Sequence, residues 1–127
     1  MAATTSGLNP VQDPRYQTKK QLGQHFLHDR NIIDRIVRAI NPNAGDRFVE
    51  IGPGQGALTL PLLRQILAVS GESSPSPALT VIEFDRDLIQ GLNQISQDVA
   101  PLNIVHADVL TVDLRALAKQ SPIRLVG

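Results

Sequence analysis

A chain of 127 residues can bury one real core, and 42% apolar with 19% charged residues is the balance of an ordinary globular protein. Twelve basic side chains offset twelve acidic ones, so net charge alone nominates neither nucleic acid nor membrane as a partner. Without cysteine there are no disulfides, thiolate zinc sites or cysteine nucleophiles, and no apolar run approaches the roughly 20 residues that cross a bilayer.

The opening "MAATTSGLNPVQDP" lacks a basic start followed by an apolar stretch, so it is not a secretory signal. Residues 1–18 read as a flexible leader, and the cytoplasm is the expected compartment. Charge is unevenly spread: seven basic and four acidic residues up to Arg47, then five basic and eight acidic from Phe48 onward. A mildly basic front and a mildly acidic remainder hint at divided labour.

From Asp29 the pattern turns helical, because Ile32, Ile33, Ile36, Val37 and Ile40 share one face. Asp29 is placed to cap this helix and "NPNAG" to end it. "RFVEIG" reads as a buried strand and runs into a glycine loop. Leu58, Leu60, Leu62, Leu63, Ile66 and Leu67 form the next helix, which tolerates Pro61 only near its first turn. "SGESSPSP" is a polar surface excursion.

"ALTVIEFD" is a second strand, and "RDLIQGLNQIS" is a helix with Leu88, Leu92 and Ile95 in register. "LNIVHAD" is a third strand, "VLTVDLRALAK" a short helical connection, and "IRLVG" a fourth strand. Strands alternating with helices predict an α/β fold with a parallel sheet covered on both faces. The chain stops at Gly127 as the fourth strand ends, so residues 19–127 are expected to be the first part of a longer domain.

Ligands of such sheets sit beyond the carboxyl ends of the strands. The first three strand ends each carry an acid: Glu50, Glu83 and Asp108. Beside them lies "VEIGPGQGALT", whose glycines permit either a simple tight turn or a close backbone approach to a ligand. Gly52, Gly54 and Ala57 satisfy the dinucleotide pattern G-x-G-x-x-G/A, whereas Gly52, Gly54 and Gly56 suit S-adenosylmethionine. A dinucleotide brings a doubly negative pyrophosphate, which Glu50 opposes. The methyl donor brings a sulfonium and an ammonium, which a pocket rimmed by Glu50, Glu83 and Asp108 favours.

Glu83, 31 residues after Gly52, is placed to accept hydrogen bonds from both ribose hydroxyls, or else is a solvated acid. Asp108 either accepts from the adenine amine or caps the following turn. Asp85 and Asp87 read as helix caps. His106 is expected on the opposite face or packed within the layer, and the three histidines lack the spacing of a metal site.

"GQHFLHD" at 23–29, "VEIGPGQGALT", "VIEFDRDL" and "HADVL", in this order, resemble the ribosomal RNA adenine N6,N6-dimethyltransferases. The resemblance runs from about Lys19 to Gly127. It implies a Rossmann-like class I S-adenosylmethionine-dependent methyltransferase fold, of which this chain holds the first half of the sheet only. His25 and Leu27 would contact the cofactor and fold over its methionine end, with Gly52 meeting the methionine portion, Glu83 the ribose and Asp108 the adenine amine, and Gly54 also among the cofactor-binding residues. On composition alone His25 is a loop or packing histidine, and Phe26 reads as packing.

The resemblance also implies the substrate: two adjacent adenosines near the 3′ end of small-subunit rRNA, in a pre-30S-type ribosomal particle. Its catalytic signature is similar to N-L-P-Y and follows the fourth strand. Catalytic residues are therefore expected just after Gly127 and not within this chain. Arg15, Lys19 and Lys20 are either phosphate contacts or a solvated leader. Two competing readings remain: a nicotinamide-dependent oxidoreductase, and a non-catalytic RNA-binding, assembly or transcription factor on the same fold.

Overall fold

The structure, a computed structural model, describes residues 28–73 and 76–127. The first helix, α1 (Arg30–Ile40), begins where expected, because the Asp29 carboxylate accepts the Asn31 N–H at 2.9 Å. It ends at Asn41, which takes a left-handed conformation (φ 50°) and donates its N–H to the Val37 carbonyl. Ile33 and Val37 are its buried residues, with Ile32, Ile36 and Ile40 partly buried on the same stripe.

Strand β1 (Phe48–Ile51) then leads through the glycine loop into α2 (Thr59–Ser70). Pro61 is the third residue of α2, inside the first turn, so its missing N–H costs no helical bond. A 3-10 turn (Gly71–Ser73) precedes β2 (Leu79–Glu83), and α3 (Arg86–Asp98) starts at Asp85, whose side chain accepts the Asp87 N–H. Asp85 is thus the cap, and Asp87 sits in the first turn.

Strand β3 (Leu102–His106) ends two residues before Asp108, earlier than the sequence pattern predicts. Asp108 belongs instead to a 3-10 turn (Val109–Thr111) that leads to α4 (Leu114–Ala118) and β4 (Arg124–Val126).

All strand pairs are parallel, in the order β3-β2-β1-β4. The chain steps outward from β1 to β2 and β3, then returns to the far side of β1. The strand order therefore reverses beside β1, and in open α/β sheets such a reversal opens a crevice at the carboxyl ends. Phe48 and Val81 from the sheet pack with Leu62, Leu63 and Ile66 of α2 and Leu92 of α3 in one apolar cluster. Val49 and Ile82, on the opposite face by alternation, are buried too, so the central strands are covered on both faces there.

Arg124 fastens the far end of this assembly. Its guanidinium pairs with Asp46 at 3.0 Å, donates to the Ile40 and Asn41 carbonyls that end α1, and stacks 4.9 Å from the Phe48 ring centre. A basic group on those unpaired carbonyls is a C-terminal cap supplied by another element. Arg47 similarly reaches the Ser121 carbonyl and hydroxyl, closing the segment before β4.

Leu62 has no solvent exposure and sits where α2 meets the sheet. Leu62→Ala is expected to cost about 2–5 kcal/mol, from lost transfer energy and the cavity left behind. Chemical denaturation checks this; a loss under about 1 kcal/mol would show that α2 does not rest on this core.

Candidate functional site

The glycine loop continues β1 past its last residue, with the Gly52 N–H donating to the Ile82 carbonyl at 2.9 Å. Gly52, Gly54 and Gly56 all have positive φ, of 66°, 59° and 90°. At Gly56 a Cβ would lie 2.5 Å from Ile95 Cδ1 of α3, the far end of a side chain that can shift, so the positive φ more than the space favours glycine there. A Cβ at Gly52 or Gly54 would meet no atom of the described residues within 4 Å, so among these the backbone of the loop borders open space. That is the geometry of a cradle in which a ligand can touch main chain.

Glu83 holds this loop from β2. One of its carboxylate oxygens accepts the Gly54 N–H and the other accepts the Asp85 N–H, each at 3.0 Å. The side chain is 7% exposed, so it is no solvated acid. It ties the loop after β1 to the loop after β2. Each oxygen keeps a further lone pair, which leaves acceptor capacity for a ligand's hydroxyls.

Asp108 stands beyond the neighbouring strand. Its carboxylate accepts the Leu110 N–H at 3.0 Å, so it caps the turn that follows. The backbone joins these ends, since the Ala107 N–H donates to the Glu83 carbonyl. His106 is exposed, with Nε2 3.1 Å from the Phe84 carbonyl, and is not packed within the layer.

Glu50 departs most from expectation. The sequence pattern puts it on the acidic rim, but it is 2% exposed, and Thr59 at the start of α2 donates its hydroxyl to the carboxylate at 2.5 Å. The reason is alternation: Glu50 points to the same face as Phe48, and that face is covered. Burial raises its pKa to about 7, the Thr59 hydrogen bond opposes the rise, and the charge of Glu83 adds to it. The rim therefore rests on Glu83 and Asp108.

The structure thus brings Gly54 and Glu83 into direct contact. Asp108 lies at the adjoining strand end, without a hydrogen bond to either among the described residues. His25 and Leu27 lie outside the described residues, as do Phe26, Arg15, Lys19 and Lys20. Among the described residues no group of three or more His, Asp or Glu side chains could hold a metal ion. No helix among them is long and apolar enough to cross a membrane.

Two residues that sequence reasoning passed over stand out. Phe84 is 71% exposed and Leu110 is 89% exposed, and they follow Glu83 and Asp108 closely in the chain. An apolar side chain left in water beside each strand-end acid is suited to the faces of a planar ring. The available signal was an apolar residue one position past Glu83 and two past Asp108.

The family described as "Ribosomal RNA adenine dimethylase" matches residues 15–127. Ribosomal RNA small subunit methyltransferase A of Xanthomonas euvesicatoria pv. vesicatoria (strain 85-10) is 58% identical over 109 residues, and the protein of that name from Xanthomonas oryzae pv. oryzae (strain PXO99A) is equally similar. That from Xanthomonas campestris pv. campestris (strain B100) is 56% identical. In each case the match covers 86% of this chain and 38% of the relative, so the chain spans well under half the length of these curated relatives. The parallel sheet is accordingly part of a Rossmann-like methyltransferase fold, and the chain belongs to the ribosomal RNA adenine dimethylase family.

Proposed function

We propose that this chain is the cofactor-holding part of an S-adenosylmethionine-dependent enzyme that dimethylates N6 of two adjacent adenosines near the 3′ end of small-subunit rRNA. The observation that carries the cofactor reading is the Glu83 bridge. A buried carboxylate pins the glycine loop, keeps lone pairs free, and lies next to open space at Gly52 and Gly54. In this reading Gly52 and Gly54 meet the methionine portion, Glu83 the ribose hydroxyls and Asp108 the adenine amine. Phe84 and Leu110 cover the ring, and His25 and Leu27 close over the methionine end.

When bound, the cofactor supplies an electrophilic methyl group on a cationic sulfur. The chain's own residues bind and orient. Glu83 fixes the ribose, and through Gly54 the position of the loop, which aligns the methyl group for in-line attack. The groups that make the adenine amine nucleophilic belong to the N-L-P-Y-like segment expected beyond β4. Residues 19–127 are then the first part of the methyltransferase domain, following a leader at 1–18.

The partner is small-subunit rRNA in a pre-30S-type particle. Arg30 and Arg64 support this, because they outnumber Asp34 in lining a depression between α1 and α2 that reaches Gly56 and Ala57, setting net positive charge beside the loop. The expected compartment is the cytoplasm.

Two experiments test the proposal. Calorimetric titration of the full-length protein is expected to show S-adenosylmethionine bound and NADH ignored; the opposite preference would favour the oxidoreductase that the glycine spacing also admits. Tritiated methyl groups are expected to enter unmodified small subunits with the full-length protein, and not with the 127-residue chain alone. Incorporation by the short chain above background would show that β4 and the residues before it suffice. Cofactor binding without incorporation by the full-length protein would favour a non-catalytic factor.

A further inference from the structure

Glu50 is a buried titratable group that the reading above leaves without a task. We propose that Glu50 exchanges a proton with solvent as the cationic cofactor binds, protonated in the cofactor-free protein on the acid side of neutrality and a buried counter-anion in the complex. The inference rests on the cofactor reading given under Proposed function.

Among the described residues this carboxyl has no positive partner. On β1 it is flanked across the sheet by Val81 of β2 and Val126 of β4, both apolar. From α2 it receives only the Thr59 hydroxyl, itself without solvent exposure. The ionisable group it feels from β2 is Glu83, which is an acid. Among the described residues the ion pair formed by Arg124 and Asp46 lies at the opposite end of β1 and β4. A buried charge without a partner is costly, and the carboxyl escapes that cost by holding its proton. Burial acts first, with Glu83 adding to it, and this is why its pKa stands at about 7.

Glu50 and Thr59 also stand at the two feet of the glycine loop, which leaves β1 just after Glu50 and enters α2 at Thr59. A sulfonium or ammonium resting on that loop supplies the missing positive charge through a low-dielectric wall, where Coulomb forces act strongly. The carboxyl then ionises: its O–H bond breaks, the proton passes to solvent or buffer, and the Thr59 hydroxyl donates to the resulting carboxylate. Charge balances, since one cation enters and one proton leaves. A buried acid of this kind favours a cationic ligand and disfavours a pyrophosphate, which would only deepen its hold on the proton.

The test is calorimetric titration of the full-length protein with S-adenosylmethionine at pH 6 and pH 8, in buffers of different ionisation enthalpy. Wild type is expected to release close to one proton per cofactor at pH 6, on the order of 0.9, and few at pH 8. Its affinity is expected to fall about tenfold for each pH unit below about 7. Glu50→Gln should release none at either pH and show a flat affinity over this range.

Should that variant fold poorly, Thr59→Val decides. Losing the hydrogen bond that holds the carboxyl down moves the proton release to higher pH. Infrared spectra of the wild type supply a second readout: a protonated carboxyl band at pH 6 that disappears on cofactor binding. Tight binding at pH 6 without proton release or band loss overturns the inference and leaves the cofactor reading standing. Proton release that persists in Glu50→Gln overturns it as well. No binding at any pH overturns both.

Discussion

Replacing Glu83 by alanine is expected to weaken S-adenosylmethionine binding by about 100- to 1,000-fold, which corresponds to about 3–4 kcal/mol. Three losses combine. The Gly54 N–H and the Asp85 N–H each lose a charged acceptor at 3.0 Å, and the ribose hydroxyls lose theirs. Hydrogen bonds to ionised groups are worth about 1.5–3 kcal/mol each, although water repays part of the loss at a half-buried loop. Calorimetry on the variant, with circular dichroism to confirm that it folds, measures the effect. A dissociation constant within threefold of wild type would refute Glu83 as the organiser of the site. Glu83→Gln offers a finer comparison, because the amide keeps one acceptor oxygen but turns an NH2 group towards one of the two backbone donors. It should fall between the wild type and the alanine variant.

The cofactor-free protein is expected to lose about 3 kcal/mol of stability between pH 4.5 and about 7 through Glu50 alone. In the unfolded chain this carboxyl titrates at its ordinary value of 4.5, whereas in the fold it titrates at about 7 because it is buried. Between those values the native state holds a proton that the unfolded state has given up. Stability must therefore fall as pH rises, by about 1.4 kcal/mol per pH unit. The favourable contribution is complete below the unfolded pKa and is lost as pH climbs through the folded one. In Glu50→Gln that slope disappears, because the amide does not titrate. Denaturation of both proteins at pH 5 and pH 8 checks the sign. Parallel pH profiles would mean that Glu50 does not carry a buried proton.

Much of the frame is legible in the sequence. The isoleucine stripe of α1 lies on one face because helical periodicity is a property of the chain itself, and Asp29 caps it through bonds two and three residues away. The glycine loop follows β1 directly, and its three positive φ values match the residue that tolerates them best. Glu83 ends β2 and Asp108 follows two residues after the end of the neighbouring β3, because a parallel sheet aligns its carboxyl edge.

Errors arose wherever the answer depended on a partner distant in the chain. A glutamate near a strand end reads as exposed, yet Glu50 is covered because α2 folds back and sets Thr59 against it. Asp108 reads as the last residue of a strand, but β3 loses its partner after His106 pairs with Glu83, so the chain turns early.

What the amino-acid order determined by itself was the set of local devices: caps, stripes, strands, the loop glycines and the family they spell out. Each depends on neighbours within a few residues, where backbone geometry leaves little choice. The tertiary structure alone decided that β4 returns beside β1, that Glu83 grips Gly54, and that Glu50 lies in the interior. Those outcomes depend on which surfaces exclude water from which groups, and solvent exclusion is a property of the packed whole.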